Sequence, residues 1–406
     1  MIEFEFWWLL VIPLFFILGW VSARVDINQI ISESTDLPAS LFKALSYLNS
    51  NQNENAITEL EKAVKLKNDS LEIHFALGSV LRREGKYDKA INLHISLLNK
   101  REISPEQEDS IKAELAQDYF MAGLYGRSES ILRELKNEKY YQYSLNLLRE
   151  IYVRERDWDK AIDSASDLEK ISGVSFRIAI SHYFCELATN NLINKKYGLA
   201  RTYLKKALEE SKNCVRANIL LGDIAYEEKK YDDAIVYWKK IEYQQPEYLG
   251  LVMQKIISVY EIQDKVSEAM SILSRYYDLY KLRTILNSLY NLVLKNEGIE
   301  RAEEIARNEL IQRPSLFSLD HLFQILTIKK SNEIESIELI QQTVKNSIGE
   351  RRFFNCNQCG FKAKQFHWQC PGCNAWESLP SEPIDTVSYT HLRAHETDSY
   401  LVCRLL

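Results

Sequence analysis

Two C-x-x-C pairs stand close together near the end of the chain, in NCNQCGFKAKQFHWQCPGCNAW, residues 355–376. Each pair brings two sulfurs to one side of a sharp turn. After CNQC, Gly360 lets the backbone fold over so that N–H groups point at thiolate, and in CPGC the turn is set by Pro371 and Gly372. Two such knuckles facing each other make a tetrahedral all-sulfur site, the geometry of structural zinc or of a single iron. The candidate metal ligands are Cys356, Cys359, Cys370 and Cys373, with a bound metal expected ahead of two disulfides or free thiols. Ligand count does not separate zinc from iron. The ten residues between the pairs, 360–369, are few for a freestanding domain. Phe361, Phe366, Trp368 and Trp376 are therefore expected to pack both around the metal and against the elements that precede it.

No other stretch carries comparable chemistry. There is no Gly-rich phosphate loop, no nucleophile in a recognisable setting and no His/Glu metalloprotease helix, so no catalytic residue and no enzyme activity is expected. His182 and Cys185, three apart in SHYFCELA, read as core or groove packing, and Cys214 in KNCVRAN as a small residue at a helix start. A formal net charge of -6 argues against nucleic-acid binding, which needs a basic stripe.

The elements that must position the knuckles are helical. The 406 residues are 46% hydrophobic and 27% charged, with only 13 glycines and 8 prolines, about half the number of helix breakers that average usage gives. Four stretches align on one alanine: NENAITELEKA at Ala56, KYDKAINLHIS at Ala90, KYGLARTYLKKA at Ala200 and KYDDAIVYWKK at Ala234. The steps Ala56 to Ala90 and Ala200 to Ala234 are 34 residues each, the tetratricopeptide period. DWDKAIDSA at Ala161 lies between, and weaker units fall on Ser128, Ala269, Ala302 and Ile337. Leu77, Gly78 and Tyr87, and again Leu221, Gly222, Tyr231 and Pro246, complete the pattern in two units. The small residue lets the first helix of a pair approach the second, the aromatic fills the wedge at the turn, and the glycine permits tight packing. One repeat cannot bury its own apolar face, so the units stack, giving an all-α tetratricopeptide superhelix of about nine helix pairs over residues 37–348, followed by a small four-cysteine module over 352–380.

The N-terminus reads differently. Phe6–Ala23, FWWLLVIPLFFILGWVSA, has no charged residue in 18 positions, enough to cross a bilayer as one helix. Trp7, Trp8 and Trp20 sit near its ends, and Pro13 is tolerated in a membrane helix. Glu3 and Glu5 precede the apolar run where a signal peptide carries Lys or Arg, which favours an uncleaved transmembrane anchor over 1–23, with a linker over 24–36. Arg24 and Lys43 follow the span and no Lys or Arg precedes it, so the bulk of the protein is expected on the cytoplasmic side. A reducing compartment also suits four clustered thiolates.

Anchor, repeats and knuckles in this order resemble the lipopolysaccharide assembly protein B family, and so do QDYFMAGLYGRSE at 117–129, SHYFCELA at 181–188 and CGFKAKQFHWQCPGCNAW at 359–376. The last is the most specific stretch, and its C-x-x-C-G and C-P-x-C halves also resemble rubredoxin. The resemblance covers the chain from the anchor to about residue 385. It implies a single-pass protein of the bacterial inner membrane with one rubredoxin-type metal, iron or zinc, held by the four cysteines. It further implies an adaptor that restrains lipid A synthesis by promoting degradation of the deacetylase LpxC by the membrane protease FtsH. Other lipopolysaccharide-synthesis or regulatory proteins of that membrane are the further partners it implies. Two alternatives remain: a scaffold that assembles those enzymes without governing their turnover, and a redox-responsive iron protein. After about Thr386 the sequence departs from the family. Residues 387–406 read as a non-native tail, and His391, His395 and Cys403 are not taken as ligands.

Overall fold

A computed structural model of the chain describes residues 39–66, 70–100, 103–135, 137–329 and 334–385. The proposed anchor Phe6–Ala23, its linker and the 387–406 tail lie outside them. Among the described residues, no helix is long and apolar enough to cross a membrane.

Helices follow one another in pairs. They are α1 (Ala39–Asn49) and α2 (Asn53–Leu66), α3 (Leu71–Arg83) and α4 (Tyr87–Leu98), α5 (Pro105–Met121) and α6 (Tyr125–Glu134), then α7 (Glu138–Glu155) and α8 (Trp158–Ser172). Next come α9 (Arg177–Ile193) and α10 (Tyr197–Glu210), α11 (Val215–Glu227) and α12 (Tyr231–Lys239), the short α13 (Ile241–Gln244) and a 3-10 turn at Pro246–Leu251. The series closes with α14 (Met253–Ile262) and α15 (Val266–Tyr280), α16 (Arg283–Asn296) and α17 (Ile299–Gln312), α18 (Leu316–Ile328) and α19 (Ile334–Arg351). A three-stranded antiparallel sheet follows: β1 (Arg352–Asn355) lies between β2 (Lys362–Ala363) and β3 (Ile384–Asp385). The third strand lies past the 352–380 span expected from the cysteines.

The residues on which the repeats align share one structural position. Ala56, Ala90, Ser128, Ala161, Ala200, Ala234, Ala269 and Ala302 are each the fourth residue of the second helix of a pair, and each is buried to 1% exposure or less. A larger side chain there would push the paired helices apart. The glycine of the repeat has an equally local cause. A Cβ on Gly222 would come within 2.3 Å of the Trp238 indole nitrogen, and one on Gly78 within 2.5 Å of the His94 ring. In both pairs the glycine gives its space to a ring sixteen residues later on the second helix. Trp238 then donates its indole N–H to the Ile219 carbonyl at 3.2 Å.

The chain divides into two compact units. The first ends at Asp157 and takes in Lys170–Ser172; the second holds Trp158–Glu169 and the chain from Gly173 onward. A buried polar knot belongs to the first: Arg82 donates to Asp118 at 2.7 Å and to Glu114 at 2.6 Å, and the other Asp118 oxygen meets His94 Nδ1 at 2.5 Å. His94 and Asp118 are fully buried, so this carboxylate is held by its partners in place of water. The second unit contains the four-cysteine module and every helix that supports it.

Candidate metal centre

The two knuckles are built alike. The Cys356 N–H donates to the Phe361 carbonyl at 2.8 Å and the Gly360 N–H returns to the Cys356 carbonyl at 2.9 Å. In the second, the Cys370 N–H donates to Ala375 at 2.8 Å and the Asn374 N–H returns to Cys370 at 2.9 Å. Each knuckle closes on a left-handed residue one position after its second cysteine: Gly360 at φ 73° and Asn374 at φ 59°. Asparagine is among the few side chains that accept that conformation readily. The expected turn-setting role of Gly372 is thus taken by Asn374. Gly372 instead makes room across the site, where a Cβ would lie 3.1 Å from Phe361, and its N–H points at the Cys370 sulfur at 3.4 Å.

All four sulfurs lie within 4.8 Å of one another. Cys356 to Cys373 and Cys359 to Cys370 are 3.7 Å apart, far beyond a disulfide. A regular tetrahedron with a metal about 2.3 Å from each sulfur has edges of ~3.8 Å. The thiols therefore fit a single zinc or iron ion in spacing as well as in donor type. Burial opposes charge on Cys356, yet the Ser378 hydroxyl and the backbone N–H groups of Cys359 and Gln358 outweigh it and draw this thiol down to about 6. Such a group is ready to ligate at neutral pH. Cys356 and Cys370 are buried and Cys359 and Cys373 exposed, so the site has an inner and an outer edge.

The module is held against the helices by rings and two carboxylates. His182 of α9 is fully buried, stacks on Trp376 at 4.5 Å and 12°, and meets Trp368 at 5.7 Å. Its Nε2 is 3.0 Å from Glu377 Oε1. Tyr248, in the 3-10 turn, stacks on Trp368 at 5.3 Å and receives the edge of Phe366. At the far end, Glu382 accepts the Thr284 N–H at 2.8 Å, the Thr284 hydroxyl at 2.7 Å and the Arg283 N–H at 3.2 Å, capping α16 from outside the helix. Ser381 adds a hydroxyl bond to the Glu247 carbonyl.

Three of the four aromatics expected to join metal and helices do so: Phe366, Trp368 and Trp376. Phe361 does not; it lies over Gly372 and stays 39% exposed. Sequence reasoning read His182 only as packing and missed Tyr248 and Glu382 altogether. Cys185, read beside His182, and Cys214, read alone, meet with sulfurs 3.8 Å apart.

The family model described as "Rubredoxin metal binding domain" matches residues 354–380. Tetratricopeptide repeat models match 44–85, 73–108 and 187–245. Among solved structures, Naa15/Naa10 bound to HypK-THB aligns over 76% of this chain and 53% of its own at 14% identity and TM-score 0.40. Two curated relatives span nearly everything. Lipopolysaccharide assembly protein B of Escherichia coli K12 is 26% identical over 374 residues, 91% of this chain and 96% of that protein. Its counterpart in Haemophilus influenzae is 26% identical over 395 residues, 93% and 98% of the two chains. From the repeats through the cysteine knuckles, this chain is similar to lipopolysaccharide assembly protein B.

Proposed function

We propose that this protein is a membrane-anchored adaptor in lipopolysaccharide assembly, which uses its repeats and its metal module together to present the deacetylase LpxC to the protease FtsH. The observation that carries the reading is the joint one: similarity to lipopolysaccharide assembly protein B over nine-tenths of the chain, with a metal module seated on the repeat helices through His182, Tyr248 and Thr284. A module seated in this way acts as part of the repeat surface. Adaptation by proximity needs no bond-making residue. Cys356, Cys359, Cys370 and Cys373 hold the metal, which folds the knuckles and fixes Trp368, Trp376 and Glu377 where they meet α9. Phe6–Ala23 keeps the assembly in the inner membrane, with the body on the cytoplasmic side.

The test is the half-life of LpxC after synthesis is stopped, in cells with and without the gene. The adaptor reading expects a longer half-life in the deletion strain, reversed by the wild-type chain but not by one lacking two knuckle cysteines. Unchanged turnover, with lipopolysaccharide enzymes still recovered in pull-downs, would favour the scaffold. The exposed pair Cys359 and Cys373 favours a second reading, an iron centre open to electron exchange at its outer edge. Iron with thiolate charge-transfer bands in protein purified without oxygen supports it; zinc with a silent visible spectrum removes it.

A further inference from the structure

Cys185 and Cys214 are 29 residues apart in sequence and their sulfurs are 3.8 Å apart in space. Cys185 lies inside α9 and is fully buried; Cys214 is 1% exposed and stands at the N-cap of α11. No third His, Cys, Asp or Glu joins them into a metal-binding group among the described residues, so these are two sulfurs with only each other as soft partners. Their environments differ. The hydrogen bond with Cys185, the field of His182 and the amide of Ala217, in the first turn of α11, favour negative charge on Cys214 and outweigh its burial, so Cys214 is the more acidic of the two. Burial and the neighbouring thiolate hold the Cys185 proton in place. An acidic thiol at a helix start beside a protonated one is the pairing that thiol–disulfide chemistry requires. Cys214 also lies just inside the surface, directly after the exposed residues Lys212 and Asn213.

We propose that Cys185 and Cys214 form a dithiol–disulfide couple, a second sulfur site separate from the knuckles, oxidised by a small peroxide. The Cys214 thiolate attacks one peroxide oxygen, the O–O bond breaks, and hydroxide leaves, taking a proton from solvent. Cys214 is then a sulfenic acid. The Cys185 sulfur attacks it, expelling its hydroxyl, which departs as water with the Cys185 proton. In sum, two thiols and one hydrogen peroxide give one disulfide and two waters. The sulfurs have to close by only ~1.8 Å to reach bonding distance. The bond ties α9 to α11 one turn from His182, the residue on which Trp376 stacks, so the helix that seats the metal module is also the one the disulfide fixes.

The test is peptide mapping without reduction, on the reduced full chain treated with hydrogen peroxide while folded and then alkylated. The expected product is a peptide pair joined through Cys185 and Cys214, rising from a trace to the majority species and lost again with dithiothreitol. In Cys185→Ser, Cys214 should be trapped as its sulfenic acid by dimedone; in Cys214→Ser, Cys185 should stay unmodified. Recovery of both cysteines as free thiols, at a peroxide level that already oxidises Cys359 and Cys373, overturns the proposal. So does oxidation of Cys214 to the sulfinic acid without joining Cys185. The wild-type mapping decides even if a variant folds poorly.

Discussion

At the scale of single residues, the four knuckle sulfurs do not contribute alike. Cys370 is fully buried and Cys356 nearly so, whereas Cys359 and Cys373 face solvent. Replacing Cys370 with Ser puts a poor ligand where no water can substitute, while Cys359→Ser leaves an edge where water can complete the coordination. We expect Cys370→Ser to lose its metal on purification and Cys359→Ser to retain a weakly held, chelator-labile ion, both read by elemental analysis before and after dialysis against chelator. Equal retention would show that burial does not rank the ligands. Gly222 makes a sharper demand, since an added Cβ would lie 2.3 Å from a buried indole. Gly222→Ala should cost about 1–3 kcal/mol through overpacking, measured as a lower urea midpoint, with Trp238→Leu partly relieving it. The aligned alanines and Gly78 and Gly222 were legible because a repeat prints the same local constraint several times. His182 was not, because the Glu377 that it meets is 195 residues away and nothing near His182 encodes it.

At the scale of elements, the turns between paired helices show where sequence reading stops. The residue two before the second helix is left-handed at Asn51, Gly85, Gly123, Arg156, Lys195, Lys229 and Asp264. Gly85 and Gly123 announce the conformation; Arg156, Lys195 and Lys229 do not, since charged side chains carry no preference for it. Tertiary packing of each helix pair imposes the turn on whatever residue stands there. Helix α16 illustrates the same override, because its N-terminal N–H groups are met by Glu382 of the module rather than by its own cap. Glu382→Ala should therefore destabilise the second unit by about 1 kcal/mol, as loss of a cap does, and Asp at 382 should not restore it fully. His321 of α18 gives a pH dependence. It is buried, stacked at 4.1 Å on Tyr290 and bonded to Asn287, and burial, only partly offset by Asp320, lowers it to about 4. Its folded value lies below its unfolded one near 6.5. The stability it contributes is therefore full above pH 6.5 and is lost as the pH falls toward 4. Over that window the slope of unfolding free energy with pH should flatten in His321→Gln, and an unchanged slope would assign the acid sensitivity elsewhere.

At the scale of the whole molecule, metal, module and repeats raise the question of how far a local loss spreads. The sheet is three short strands, and its interior is Phe354, Cys356, Ala363, Cys370 and Leu379, with Phe366 against them. That is little apolar surface for a module to fold on alone, and two of its five core residues are candidate metal ligands, so a metal bound there would supply folding free energy to the module. The faces it presents to α9, the 3-10 turn and α16 are then conditional on the metal. Stripping the metal should melt the knuckles first, then strand Trp376 and Trp368, and leave His182 and Tyr248 beside water. Hydrogen exchange on the metal-loaded and chelated chain reads this directly. We expect protection to fall in Arg352–Asn355, in Arg177–Ile193, in the Pro246–Leu251 turn and at the start of Arg283–Asn296, with the helices of residues 39–98 unchanged. Loss confined to the cysteine turns would mean that the helices hold their shape without the module, and the metal would then be a clasp for the module alone. Loss across the second unit, at the module-contacting ends of its helices, would make the metal a structural part of the surface that we propose partners read.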